Sequence, residues 1–96
     1  DGDGNSLSLI DILSEDDDMD EHLQADEVSR ALRRCIDEVL DAREAEIIRL
    51  RYAIGGGEAL TQRETAQRCG ISRSYVSRIE KKAIEKLRAA LQADGY

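Results

Sequence analysis

Apolar residues recur at three- and four-residue steps through most of the chain, a pattern that is typical of amphipathic helices. The inward face of the first predicted helix, from about residue 26 to residue 40, consists of Val28, Leu32, Cys35, Ile36 and Val39. The last predicted helix carries, on one stripe, Val76, Ile79, Ala83, Leu87 and Leu91. No alternating pattern of the kind that strands require is present. The sequence therefore predicts an all-α fold.

Capping residues mark where the later helices begin. Asp41 and Glu44 have the spacing of a capping box and predict a second helix that runs to about residue 53, before three consecutive glycines. Thr61 and Glu64 repeat this spacing and predict a short third helix. Ser72 is the expected N-cap of the last helix.

The third and fourth predicted helices have the features of a helix-turn-helix. Ala66 is small enough for a close helix crossing, and Gly70 suits a tight turn that needs a positive φ. Val76 and Ile79 are expected to face the preceding helix. The outward residues of the last helix are hydrogen-bond donors suited to base edges and phosphates: Arg73, Ser74, Ser77, Arg78 and Lys81. Residues 61–88 carry eight basic and three acidic side chains, as expected for DNA binding.

The chain as a whole has a net charge of −7, but the charge is unevenly distributed. Residues 1–27 hold 11 acidic side chains and no Lys or Arg, whereas residues 28–96 hold 14 basic and 10 acidic side chains. Because dense like charge resists folding, residues 1–22 are predicted to form a flexible, disordered acidic arm. Residues 23–96 are predicted to form one small helical domain with a carboxy-terminal helix-turn-helix.

Other classes of function find little support in the composition. No apolar run approaches the length of a membrane span. Two cysteines, Cys35 and Cys69, form neither a disulfide scaffold nor a zinc site, and they are interpreted as small buried apolar residues in a reducing cytoplasm. The single His22 offers no convincing catalytic set. We therefore expect no catalysis, no cofactor, no metal and no membrane partner.

The stretch REAEIIRLRY, which begins at Arg43, and the stretch GISRSYVSRIEKKA, which begins at Gly70, carry a family resemblance. They resemble, respectively, the first conserved block and the −35-reading helix of region 4 of the bacterial sigma-70 family of transcription initiation factors. The second stretch is similar to the version in sporulation sigma factors of the late mother-cell, sigma-K-like type. Residues 7–21 resemble the family's linker between regions 3 and 4. The resemblance implies the carboxy-terminal part of a sigma factor.

That resemblance implies recognition of the promoter −35 element by this domain, with RNA polymerase core, in the bacterial cytoplasm. The residues implied to read bases in the major groove are Arg73, Ser74, Ser77 and Arg78. The residues implied to lie along the phosphates are Arg43, Arg51, Gln62, Arg63, Ser72, Tyr75 and Lys82. Ser74 and Ser77 stand where housekeeping factors carry Glu and Arg, so a different −35 preference is expected. Ala53 stands where the family usually carries Gly.

The resemblance also implies protein partners. In the family, an apolar concavity of this domain binds the flap-tip helix of the polymerase β subunit, and an anti-sigma factor is a further candidate partner. The flap-binding candidates, for which ordinary core packing is the alternative, are Ile36, Leu40, Ile47, Leu50 and Ile54. Two other functions stay open: a stand-alone helix-turn-helix regulator, and a module that mainly binds an anti-sigma factor or the flap. The acidic arm is expected to compete with DNA for the basic domain.

Overall fold

The computed structural model describes Leu9, Ile12, Leu13 and residues 25–95. Four helices follow one another along the described residues: α1 (Ala25–Val39), α2 (Ala42–Tyr52), α3 (Gln62–Cys69) and α4 (Arg73–Ala93). These residues include no strand, which confirms the predicted all-α class. In the same part of the chain, none of the helices combines the length and apolar character needed to cross a membrane.

The three predicted helix starts are confirmed by their capping geometry. At the start of α2, Asp41 Oδ1 accepts from the Glu44 backbone at 2.8 Å, and the Glu44 carboxylate accepts from the Asp41 backbone at 3.0 Å. Thr61 and Glu64 form the same reciprocal pair at the start of α3, at 3.0 and 2.9 Å. Ser72 Oγ accepts from the backbone at the start of α4, at 3.1 Å. Side chains three residues apart thus satisfy backbone donors that a helix leaves open.

The larger core lies where α1 and α2 pack against the carboxy-terminal half of α4. Its buried residues from the helices and the turn after α1 are Val28, Ala31, Leu32, Cys35, Ile36, Leu40, Ala45, Ile48, Tyr52, Ala83, Leu87 and Leu91. The inward placement of Val39 was wrong, because 39% of this residue is exposed. It is the last residue of α1, and the chain turns there so that Leu40 enters the core instead.

A smaller core holds the helix-turn-helix together. Ile47 of α2, Ala66 of α3 and Val76 of α4 are buried against one another. Cys69, Ile71 and Ile79 pack around them and are partly buried. The predicted roles of Ala66 and Val76 as the contact between the two helices are confirmed.

The described residues of the amino-terminal segment contact the domain. Leu9 and Leu13 are buried in the larger core, at 0% and 5% exposure. The Arg88 guanidinium of α4 donates to the carbonyl oxygens of Leu13 and Ile12, each at 3.1 Å. At these positions the segment packs against the domain, and the prediction of a flexible arm is wrong there. The rest of residues 1–22 lies outside the described residues, so its flexibility stays a prediction.

α2 ends on a left-handed residue that is not glycine. Ala53 has a φ of 51° and a ψ of 39°, and its backbone N–H donates to the carbonyl oxygen of Arg49. The Ala53 side chain is buried, with 2% exposed. The loop therefore keeps, with alanine, the conformation that glycine adopts most readily.

Candidate nucleic-acid interface

The turn between α3 and α4 fixes the direction of α4. Gly70 adopts the left-handed conformation, with a φ of 68° and a ψ of 34°. Its backbone N–H donates to the carbonyl oxygen of Ala66, and so does the N–H of Ile71 at 3.0 Å. These two hydrogen bonds close α3, and the chain enters α4 three residues after Gly70. The predicted positive φ at this residue is confirmed.

The outward face at the start of α4 brings together the four predicted base-reading residues. Arg73, Ser74, Ser77 and Arg78 are all exposed. Together with Gln62 of α3, they line one shallow surface hollow of about 390 Å³. Positions 73, 74, 77 and 78 share this side because helical neighbours are three and four residues apart. The face presents two guanidinium groups and two hydroxyls, which are groups that can hydrogen-bond base edges.

Most of the predicted phosphate-contacting residues lie on either side of this face. On one side, a hollow of about 460 Å³ is lined by Arg51, Thr61, Gln62, Arg63 and Arg73. On the other side, the residues that line a hollow of about 270 Å³ include Arg43, Tyr75, Arg78 and Lys82. Cations therefore flank the predicted base-reading face on both sides.

Ser72 lies at the junction of α3 and α4. Its Oγ accepts a backbone hydrogen bond as the N-cap of α4, and the residue is exposed. The hydroxyl hydrogen is not used in that cap, so it is available to a phosphate oxygen. Tyr75, one turn later, has 51% of its surface exposed.

A buried carboxylate that no sequence pattern indicated lies beneath this surface. Glu80 of α4 has only 6% of its surface exposed. It accepts hydrogen bonds from Arg51 Nε at 2.9 Å, from the Tyr52 hydroxyl at 2.8 Å and from Gln62 Nε2 at 3.2 Å. Burial opposes ionisation of Glu80, but the hydrogen bonds outweigh this effect and lower its pKa. Burial, followed by the hydrogen bond to Glu80, raises the pKa of Tyr52.

Two of the predicted phosphate-contacting residues, Arg51 and Gln62, are thus engaged within the protein. Besides its contact with Glu80, Arg51 donates through Nη1 to the carbonyl oxygen of Leu60 at 2.7 Å. The Arg51 guanidinium also lies 5.6 Å from the centre of the Tyr52 ring. These contacts join the end of α2 to the loop before α3 and to α4.

Several acidic groups near the predicted base-reading face cap a helix or are buried. Glu64 of α3 caps its own helix, and Glu80 is buried. Glu44 is buried at the start of α2 and pairs with Lys86 of α4 at 2.8 Å. Asp41, which lines the hollow with Arg43 and Lys82, and Glu64 remain exposed, so carboxylates offset part of the positive charge.

The flap-binding candidates divide between the core and one hollow. Ile47 is fully buried in the helix-turn-helix core, and Leu40 is 8% exposed in the larger core, so the core alternative holds for both. Leu50 and Ile54 are half-buried. Ile36 is 1% exposed, yet its side chain forms part of a hollow of about 510 Å³ between α1 and the loop after α2. The hollow is lined by Arg33, Ile36, Asp37, Arg49, Ile54, Gly55 and Gly56.

Neither cysteine takes part in a metal cluster. Burial raises the pKa of the Cys35 thiol and of the Cys69 thiol, which disfavours the reactive thiolate. Among the residues that the structure describes, no group of three or more His, Cys, Asp or Glu side chains could hold a metal ion.

A helix-turn-helix whose second helix presents arginines and serines between flanking cations is the architecture of a DNA-binding protein. Residues 38–89 match the family model described as Sigma-70, region 4. The chain belongs to this family, and the resemblance inferred from its sequence is confirmed.

Several curated proteins are similar over most of the chain. The RNA polymerase sigma-28 factor of Bacillus thuringiensis subsp. kurstaki is 48% identical over 91% of this chain and 37% of its own length. The RNA polymerase sigma-K factor of Bacillus subtilis is 46% identical over 91% of this chain and 30% of its own length. The RNA polymerase sigma-E factor of Clostridium acetobutylicum is 43% identical over 92% of this chain and 37% of its own length. The chain thus spans about a third of these relatives. No solved structure matches it.

Proposed function

We propose that this domain recognises the −35 element of bacterial promoters as the carboxy-terminal part of a sigma factor that acts with RNA polymerase core in the cytoplasm. The observation that carries the proposal is that Arg73, Ser74, Ser77 and Arg78 line one hollow, while further arginine and lysine side chains line the two adjoining hollows. Membership of the Sigma-70, region 4 family supports the same assignment. The domain contributes binding and no catalytic step.

The mechanism follows from the division of this surface into a centre and two flanks. Arg43 and Lys82 on one side, and Arg63 on the other, draw the duplex to the domain through its phosphates. These contacts set the register of α4 without specifying the sequence. Arg73 and Arg78 then reach base edges in the major groove, where a guanidinium pairs bidentately with guanine.

Selection from a pool of randomised duplexes tests this assignment directly. The 96-residue chain is expected to enrich one short motif, whereas the double variant R73A/R78A is expected to enrich none. Arg34→Ala is the matched control, because Arg34 is exposed on α1 and lines none of the three hollows of the DNA-facing side. Equal enrichment by R73A/R78A and by the control would remove the base-reading role.

The proposal includes docking on the polymerase β flap through the hollow between α1 and the loop after α2. Half-buried Ile54 and buried Ile36 form the apolar part of this hollow, and its polar rim includes the Arg49–Asp37 ion pair. An apolar groove with a polar rim suits one face of an amphipathic helix. Titration with an isolated flap domain is expected to shift the backbone amides of residues 33–56. No saturable shift would instead favour a stand-alone regulator, for which a stable dimer and an inverted-repeat target would be the further signs.

A further inference from the structure

Gln62 lies where two parts of the proposed interface meet. It is the first residue of α3 and is half-buried. It lines both the hollow of the four base-reading candidates and the neighbouring hollow that contains Arg51 and Arg63. Its side chain can therefore face either a base edge or a phosphate, and its orientation decides between the two.

Glu80 fixes that orientation. The Glu80 carboxylate also accepts from Arg51 and Tyr52, and its lowered pKa keeps it ionised at neutral pH. An ionised carboxylate only accepts hydrogen bonds, so Gln62 must turn its NH2 group towards it, as the 3.2 Å contact from Nε2 shows. No donor in the described part of the chain hydrogen-bonds the Gln62 amide oxygen. The oxygen and the second N–H hydrogen are left for a ligand.

The free amide oxygen does not suit a phosphate, because phosphate oxygens only accept hydrogen bonds. In the major groove, donors are the exocyclic amino groups of adenine and cytosine. Adenine offers both N6–H2 as a donor and N7 as an acceptor, which matches the amide oxygen and the free N–H of a glutamine.

We propose that Gln62 reads an adenine in the major groove, and that Glu80 is the positioning residue that holds its amide for this contact. The inference rests on the proposed DNA-binding function. It assigns to Gln62 a role in sequence discrimination in place of the phosphate contact that the family resemblance implied.

The test is a duplex selection with the 96-residue chain and its Gln62→Met variant, scored one base pair at a time. The variant is expected to lose about tenfold of the preference for adenine at one base pair, within the range of a bidentate contact. Preferences at the other base pairs are expected to stay. Gln67→Met is the matched control, since Gln67 is an exposed glutamine on the same helix.

Glu80→Gln tests the positioning role. A neutral amide at position 80 both donates and accepts, so Gln62 is free to rotate, and the preference is expected to fall at the same base pair. The double variant Q62M/E80Q is expected to show no further loss there, because both changes remove one contact. A merely structural role of Glu80 would instead weaken binding at all base pairs alike. Thermal melting of each variant identifies any that fails to fold. If the Glu80 variants do not fold, the adenine preference of Q62M alone tests the inference.

Three results would count against the inference. An equal loss of affinity for all duplexes in Q62M would show that Gln62 contacts phosphate and does not read a base. Unchanged preferences in Q62M would remove it from the interface. If the unsubstituted chain and the control both enrich no motif, the proposed DNA-binding function fails, and the inference fails with it.

Discussion

The Glu80 carboxylate accepts hydrogen bonds from two residues of α2 and one residue of α3. Three helices therefore meet at one acidic group beneath the predicted base-reading face. Arg51 and Tyr52 lie 29 and 28 positions before Glu80, and Gln62 lies 18 positions before it. A buried group of this kind stabilises the fold only while its partners remain in place.

Replacing Glu80 by Gln is expected to lower the free energy of unfolding at neutral pH by about 1–3 kcal/mol, because charge-assisted hydrogen bonds from Arg51 and Tyr52 are weakened. Urea unfolding followed by circular dichroism measures the change. Glu85→Gln is the control, since Glu85 is exposed on the same helix. A Glu80→Gln variant as stable as this control would contradict the role of the network.

The stability difference between the wild type and Glu80→Gln is expected to depend on pH. The pKa of Glu80 in the folded state lies below its ordinary value of 4.5, so the folded protein binds fewer protons there than the unfolded chain. The stability that this carboxylate contributes is complete above pH 4.5 and is lost as the pH falls through the folded-state pKa. The difference in unfolding free energy between the wild type and Glu80→Gln should therefore shrink below pH 4.5 and stay constant above it.

For single residues, the sequence predicted the contacts of those side chains whose partners are close by in the chain. Asp41, Thr61 and Ser72 each accept a hydrogen bond from a backbone three residues away, so their spacing alone carried the information. The partners of Glu80 come from elsewhere in the chain, and no short-range spacing indicates them. The roles of Arg51 and Gln62 were consequently inferred from the family resemblance alone, without their contacts to Glu80.

The turn between α3 and α4 depends on one left-handed residue. At Gly70, an added Cβ would meet no atom within 4 Å, so the cost of a side chain there is conformational. Gly70→Ala is expected to lower the unfolding free energy by about 1–2 kcal/mol. Gly70→Asn is expected to lower it by less, because asparagine tolerates this conformation better. If Gly70→Ala and Gly70→Asn lose the same unfolding free energy in urea, the loss has a cause other than the positive φ.

The DNA contacts proposed for α4 are of two kinds, base-reading and phosphate-contacting, and the salt dependence of binding distinguishes them. Lys82, in the hollow with Arg43 and Tyr75, is expected to contact phosphate only. Lys82→Ala should therefore weaken binding to all duplexes alike and reduce the slope of log affinity against log salt concentration by about one. Fluorescence anisotropy across a salt series measures this slope. A loss confined to one sequence would contradict the assignment.

The elements themselves were predicted well because periodicity and caps act together. The helix starts at Ala42, Gln62 and Arg73 each follow the predicted N-cap. Val39, whose inward position was predicted wrongly, is the last residue of α1. At a helix end, the 3.6-residue period no longer determines which way a side chain points.

On the scale of the whole molecule, the amino-terminal segment is part of the core at Leu9 and Leu13. Leu9→Ala is expected to lower the unfolding free energy by about 2–4 kcal/mol, since the side chain is fully buried. Ile12→Ala is the control, with an expected loss below about 1 kcal/mol, because 41% of this residue is exposed. Equal stability of Leu9→Ala and the wild type in urea unfolding would show that the segment does not pack in solution.

The charge difference between the two parts of the chain gives another prediction. Deleting residues 1–22 would remove both the acidic run and two core leucines, so the two effects would be mixed. Replacing the acidic residues from 15 to 21 by Asn and Gln keeps Leu9 and Leu13. This variant is expected to bind duplex DNA more tightly at low salt, with the difference disappearing as salt is added. Unchanged affinity at low salt would contradict competition by the arm.

The sequence could not predict this packing because the leucines of residues 7–13 stand next to a dense acidic run. The charge density of this segment favours a flexible arm. It does not indicate whether two leucines can pack between helices that lie much later in the chain. The Arg88 contacts are equally remote, since they join residues 75 and 76 positions apart.

The packing of Leu9 and Leu13 in the larger core bears on how sigma factors are recombined. The region shared with the family model begins at residue 38, yet the larger core is completed by α1 and by these two leucines. A chimera joined at residue 38 would combine a transplanted α4 with the α1 and amino-terminal segment of the host protein. The host side chains would then not be complementary to the core face of the transplanted α4. Junctions placed ahead of Leu9 would transfer the packing unit intact.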